Sequence, residues 1–126
     1  MLQLFLSNRP RLAAIAQDFD LAPMQLHALR TLEPGKELPM SALADSLACD
    51  ASNVTGIVDR LEAHGLIERR GAPHDRRVKM LAVTDKGAEV RERLIRRMAE
   101  PPPAIAALSS RDQRFLRDVL ARALRA

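Results

Sequence analysis

The stretch from Asp50 to Thr84 limits what this chain can fold into more than any other, because its local chemistry changes from helical to extended at a single glycine. Asp50 can cap a helix, and after it Val54, Ile57, Val58 and Leu61 recur at helical spacing, which puts them on one buried face. Turning by about 100° per residue, the opposite face carries Ser52, Thr55, Gly56, Asp59 and Ala63, with Asn53 and Arg60 on its shoulder. Small or hydrogen-bonding side chains let a helix lie close to another surface, as entry into a major groove requires. Gly65 follows His64 where a left-handed cap is expected, and Leu66-Ile67 begin a strand-like run.

Between Leu66 and Thr84 stand five basic residues, Arg69, Arg70, Arg76, Arg77 and Lys79, against two acidic ones, Glu68 and Asp75. The middle, Gly71-Ala72-Pro73-His74-Asp75, is turn-forming, so the segment reads as a basic hairpin that projects from the fold, a wing. Residues 34–65 just before it hold two basic and five acidic side chains. The net charge of +4 is too small to establish a nucleic-acid partner, and its separation by sign carries more of the argument. A polar solvent-facing helix remains the alternative for the outer face taken alone.

The residues DRRVKMLAVTDKG resemble the wing signature of the MarR family (multiple antibiotic resistance regulators), in which Asp-x-Arg is followed by an apolar strand and then Leu-Thr-x-x-Gly. Asp75, Arg77, Thr84 and Gly87 occupy the signature positions, and Val83 stands where the family has Leu. LAPMQLHALRTL resembles the family's second helix, with Gln25 at a position often filled by Gln. The likeness covers about residues 20–98 well and the ends poorly.

In chain order, Leu12, Ile15, Ala16 and Phe19 form one stripe of a first helix, expected to start near Asn8 to Pro10 because proline is best tolerated in a first turn. Pro23 opens a second helix with Met24, Ala28, Leu29 and Leu32 inward. Glu33-Pro34-Gly35-Lys36 is a turn, Leu38-Pro39-Met40 is briefly extended, and Ser41 is expected to cap a helix with Leu43, Ala44 and Leu47 inward. That helix, a short break at Cys49-Asp50 and the Asp50 helix make a helix-turn-helix. Thr84 is an N-cap for a charged helix with Val90, Leu94, Ile95 and Met98 as its seam, ended by Pro101-Pro102-Pro103. Ser109 with Asp112 then resembles a capping box for a last helix expected to bury Phe115, Leu116, Val119, Leu120, Ala123 and Leu124.

The expected architecture is therefore mainly α with a small β-hairpin wing: a winged helix-turn-helix over residues 23–84, a dimerisation helix in 1–22, and a linking helix plus a C-terminal dimerisation helix in 85–126. A core this small cannot cover the apolar faces of both end helices, which predicts a symmetric homodimer. Packing of both stripes inside one subunit is the alternative.

No nucleophile elbow, phosphate-cradling glycine loop or paired metal-ligand motif is present, so no catalytic residue, cofactor or metal site is expected. His27, His64 and His74 belong to different elements. The single Cys49 suits a reducing cytoplasm, either as a small buried turn residue or as a redox-sensing thiol at a helix N-terminus. MLQLFL is too short for a spanning helix and lacks a basic leader, so neither a signal peptide nor a membrane location is expected.

For the Asp50 helix, base-edge contacts fall to Ser52, Asn53 and Thr55, close approach to Gly56, and a phosphate contact or an ion pair with Glu62 or Asp59 to Arg60. The resemblance implies that Arg77 enters the minor groove with Asp75 orienting its guanidinium, unless the two only shape the hairpin. Arg76 and Lys79 would neutralise phosphates, helped by Arg69 and Arg70. It further implies a cytoplasmic regulator, a repressor, that binds a palindromic operator on double-stranded DNA as a homodimer and is released by a small, aromatic effector. The effector's binding residues are unknown from sequence. The rival readings are a winged helix that docks a protein without reading bases, and a thiol sensor acting through Cys49.

Overall fold

The computed structural model describes Leu2 to Ala126. Helix α1 spans Leu2–Asp18, well upstream of the expected start, and Pro10 lies inside it. Proline removes the N–H that would bond the carbonyl four residues earlier, at Leu6. Leu6 and Pro10 both lie on the exposed side of the helix, where a main-chain group that loses its helical partner costs less than in the core.

Helix α2 (Pro23–Thr31) begins at its proline, as expected, and the Gln25 side chain accepts the Ala22 N–H at 3.0 Å to close the first turn. It touches α1 and three helices that follow: α3 (Met40–Leu47), α4 (Ala51–Ala63) and α5 (Asp85–Ala99). Its inward residues are Leu26, Ala28 and Leu29, followed by Leu32. Met24 shares the Ala28 stripe but sits in the first turn beyond the edge of the core, and is exposed, while Leu26 is buried instead. Around α2 the core is completed by Ile15, Leu43, Leu47, Val54, Val58, Leu61, Leu66, Ile67, Leu81 and Leu94. Full burial of a leucine such as Leu29 or Leu61 contributes roughly 1.5–3 kcal/mol each.

Strand β1 (Leu38–Pro39) pairs antiparallel with β3 (Lys79–Val83), which pairs with β2 (Ile67–Gly71), giving a three-stranded sheet in the order β1-β3-β2. Pro39, extended at φ −61° and ψ 145°, both pairs with Met80 and leads straight into α3, so the helix starts at Met40 and Ser41 lies within it rather than capping it. Helix α3 ends on Ala48, which is left-handed at φ 51°, and the Cys49 N–H bonds the Ala44 carbonyl at 3.0 Å. This turn aims the chain into α4.

Helix α4 ends as its sequence dictates. Gly65, at φ 72°, bonds the Glu62 carbonyl and Leu66 bonds the Leu61 carbonyl, the paired bonds of a Schellman cap. Leu66 then receives the returning strand: its carbonyl accepts the Thr84 N–H at 3.0 Å, and the Thr84 hydroxyl donates to the Gly65 carbonyl at 2.6 Å. The same hydroxyl oxygen caps α5 by accepting the Gly87 N–H at 3.0 Å. A Cβ on Gly87 would lie 1.9 Å from the Leu66 oxygen, so only glycine fits there.

Along α5, Leu94 is buried and Val90 and Met98 pack against the core, but Ile95 is 37% exposed. Arg11 of α1 donates to the Arg97 and Glu100 carbonyls at the end of α5, and Arg97 pairs with Asp18 at 3.0 Å. After Pro101-Pro102, a short helix α6 (Pro103–Ala106), which sequence pattern did not announce, opens on the third proline. Helix α7 (Ser110–Arg125) has the expected Ser109 cap, which accepts the Asp112 N–H at 3.1 Å. None of its residues is buried in the single chain: Phe115 and Leu124 are 69% and 88% exposed. The expected burial of Phe115, Leu116, Val119, Leu120, Ala123 and Leu124 is therefore not supplied by this subunit. No helix among the described residues is long and apolar enough to cross a membrane.

Replacing Gly87 with alanine is expected to lower stability by about 3 kcal/mol or more, because a backbone carbonyl must move. Thr84→Ala, which removes one cap, should cost about 1–2 kcal/mol. Denaturant unfolding followed by circular dichroism checks both, and an unperturbed Gly87→Ala protein would refute the close packing at Leu66.

Candidate nucleic-acid interface

Helix α4 turns Val54, Val58 and Leu61 into the core, with Ile57 half-buried beside them. Ser52, Asn53, Thr55, Gly56, Asp59 and Arg60 are all exposed on the other side. The Asp50 carboxylate accepts the Asn53 N–H and the Ser52 hydroxyl, both at 2.9 Å, and these two bonds, the first the stronger, hold its pKa below the usual carboxylate range. The Thr55 hydroxyl donates to the Ala51 carbonyl at 2.8 Å. Carboxylate and carbonyl oxygens only accept, so the hydroxyls of Ser52 and Thr55 spend their hydrogens on the helix's own first turn and keep lone pairs to offer. Nothing lies within 4 Å of a Cβ built on Gly56, which leaves a shallow notch in the middle of the exposed face.

The wing is the β2–β3 hairpin. In it Gly71 faces Lys79, Arg70 faces Met80 and Arg69 faces Leu81. Its loop is closed by the Ala72 N–H to the Val78 carbonyl at 3.0 Å and the Val78 N–H to the Asp75 carbonyl at 3.1 Å. Ala72 is buried under it, whereas Arg76, Arg77 and Lys79 are exposed. Asp75 does not hold the Arg77 guanidinium. Its carboxylate accepts the Arg77 main-chain N–H at 2.9 Å, an Asx-type turn that shapes the tip and leaves the guanidinium free to point outward.

Two arginines expected to help with phosphates are already engaged. Arg69 pairs with Asp59 and with Glu62 of α4, the latter at 2.7 Å, and its main-chain N–H also donates to Glu62 at 3.0 Å. Arg70 pairs with Glu68 and, at 2.9 Å, with Glu37 ahead of β1. Because Arg69 takes both carboxylates, Arg60 forms neither of the ion pairs considered for it. Among the described residues, Arg60, Arg76, Arg77 and Lys79 make no salt bridge.

Sequence reasoning missed the Arg69 bridge. The signal available was the i, i+3 spacing of Asp59 and Glu62 on one edge of α4, together with a strand that doubles back beside it. Cys49 is half-buried in the turn before α4, with its thiol 3.5 Å from the Leu47 carbonyl. The three histidines are not brought together, and no cluster of three potential metal ligands occurs among the described residues.

A family profile described as the MarR family matches residues 21–79, from the link between α1 and α2 to the first residue of β3. An uncharacterized HTH-type transcriptional regulator of Bacillus subtilis, YdgJ, is 30% identical over 109 residues, which are 81% of this chain and 63% of that protein. The HTH-type transcriptional repressor MdtR of the same organism is 34% identical over 84 residues, 67% of this chain and 54% of that protein. The chain thus spans little more than half the length of the curated relatives it matches. The crystal structure of a probable transcriptional regulator from Pseudomonas aeruginosa superposes with a TM-score of 0.71 at 30% identity, over 98% of this chain and 96% of that one.

A glycine within a helix costs about 0.5–1 kcal/mol relative to alanine, and the space beside Gly56 is empty. Gly56→Ala is therefore expected to raise the thermal unfolding midpoint. A lowered midpoint would mean that the face is not open.

Proposed function

The chain belongs to the MarR family, and on that premise we propose that it is a transcription regulator, a repressor, which grips a palindromic operator on double-stranded DNA as a homodimer. Helix α4 lies in the major groove of each half-site, with Ser52, Asn53 and Thr55 at base edges, Gly56 admitting the groove wall and Arg60 on a phosphate. The wing reaches the neighbouring minor groove with Arg77, while Arg76 and Lys79 neutralise backbone charge. Asp75 contributes by shaping the loop through the Arg77 main chain.

The observation that carries this reading is the state of the cations. Arg60, Arg76, Arg77 and Lys79 are exposed and form no salt bridge among the described residues, while the nearby acids Asp59, Glu62, Glu68 and Glu37 are taken by Arg69 and Arg70. An exposed polar helix and an uncompensated basic ribbon on one side of the fold suit a polyanion.

Dimerisation is supported by the apolar surface this subunit leaves uncovered. Leu4, Met98, Leu116, Leu120 and Leu124 line an open crevice of about 490 Å³ between the two ends of the chain, and Phe5 and Phe115 are exposed nearby in sequence. A second copy related by a two-fold axis covers the same faces on both partners and sets the recognition helices about one helical turn apart. Release by a small aromatic effector acts on that spacing, by favouring an arrangement that does not match the operator.

Enrichment of bound sequences from a random DNA pool should yield an inverted repeat, and sedimentation at micromolar concentration should give a dimer. Against the enriched site, Arg77→Ala is expected to lose about 1–3 kcal/mol of binding, and Ser52→Ala or Thr55→Ala to relax base preference. Arg76→Ala or Lys79→Ala should each reduce the slope of log affinity against log salt by about 1. Gly56→Ala should bind less tightly although it folds more stably. Weak binding with no sequence preference would replace this reading with that of a protein-docking module.

A further inference from the structure

We propose that Arg69 is a positioning residue, a clamp that fixes the base of the wing against the recognition helix so that both elements meet the duplex at one set angle. This rests on the DNA-binding reading above but concerns a side chain that touches no DNA.

Three bonds from a single residue make the clamp. The Arg69 main-chain N–H and one guanidinium nitrogen hold the two oxygens of Glu62 at 3.0 and 2.7 Å, and the other terminal nitrogen holds Asp59. Asp59 and Glu62 are a turn apart on α4, so the planar fork spans a length of helix instead of pivoting on one point. The Arg69 side chain is 24% exposed against 59% for Asp59 and 40% for Glu62, which makes the cation the most enclosed member. Beyond this residue the strand continues through Arg70 and Gly71 to the loop that carries Arg76 and Arg77. An angular change at Arg69 is therefore amplified at the tip.

Fold stability gives little reason for such a bridge, because exposed ion pairs add little to it. Electrostatics alone also argues against two carboxylates on the flank of a helix that approaches phosphates. Their retention makes sense if they hold something in place.

These two accounts predict opposite signs. The Asp59→Asn/Glu62→Gln protein has two fewer negative charges, so if charge alone matters it binds every DNA more tightly. If the clamp matters, it binds the operator enriched by the parent protein about tenfold more weakly while its binding to unrelated duplex is unchanged or stronger. Fluorescence anisotropy of the full chain with both duplexes, across a range of salt, reads the ratio. Arg69→Ala should lose operator affinity with no change in salt slope, and Arg69→Lys should recover part of it, since an ammonium reaches one carboxylate well but does not fork across both. Thermal unfolding confirms that each variant is folded, and the double variant carries the test if Arg69→Ala is not.

Operator binding by the double variant as tight as that of the parent, or a salt slope reduced by about 1 in Arg69→Ala, would overturn the clamp, the latter by making Arg69 a phosphate contact. If the parent protein enriches no sequence above unrelated duplex, the DNA reading fails and the clamp fails with it. An enriched operator with an unaffected double variant sinks the clamp alone.

Discussion

The main-chain carbonyl of Leu66 is the point on which the rest of the structure depends. It takes the Thr84 N–H and leaves Gly87 no room for a side chain, while the Leu66 N–H closes the Schellman cap of α4. Three elements meet within these few bonds: the end of the helix that faces outward, the base of the wing, and the start of α5. Lys86 adds a bond to the His64 carbonyl at 2.9 Å, beside a hydroxyl of Thr84 that both donates to Gly65 and caps α5. Each hydrogen bond contributes on the order of 1 kcal/mol, yet the close approach they enforce is what decides the residue at position 87.

This junction explains why the wing and α4 can be read as one unit. Buried backbone groups must be satisfied, and here the groups freed where α4 ends are satisfied by the strand that returns and the helix that follows. The wing therefore cannot swing at its root without exposing carbonyls at Gly65 and Leu66. Farther out the sheet holds less, since β2 is an edge strand and Glu68, Arg70 and Gly71 are exposed. The bridge from Arg69 to α4 falls where main-chain constraint fades and side-chain constraint is needed.

Legibility in the sequence followed how local each constraint is. The Asp50 and Thr84 caps, the Gly65 stop and the hairpin are set by neighbours within a few residues, and each lies where the pattern placed it. The start of α1 was not legible, because whether Pro10 breaks a helix depends on whether the Leu6 carbonyl meets solvent or protein, which is a tertiary fact. Ser41 does not cap α3 for a related reason: Pro39 is held by pairing with Met80, some forty positions away, and the helix starts directly after it. The apolar stripe of α7 was legible as a stripe, but periodicity says only that a face needs a cover, not that the same chain provides it.

The arginines make the same distinction within the candidate site. By composition Arg69, Arg70, Arg76 and Arg77 are equivalent: adjacent pairs on one basic hairpin. What separates them is which carboxylates the fold brings near. Asp59 and Glu62 lie along the flank of α4 where β2 doubles back, and Glu37 sits just ahead of β1, on the far side of β3 from β2. The strand pair is thus lined with acid at its base and has only Asp75 beyond Gly71, so the same side chain is a structural partner at one end and a charge without a salt bridge at the other. Asp75, the one acid at the tip, turns its carboxylate to the main chain and leaves that charge uncompensated. A ribbon arranged this way carries its positive potential outward, where a ligand can meet it, and no count of charges along the sequence could have assigned which arginines supply it.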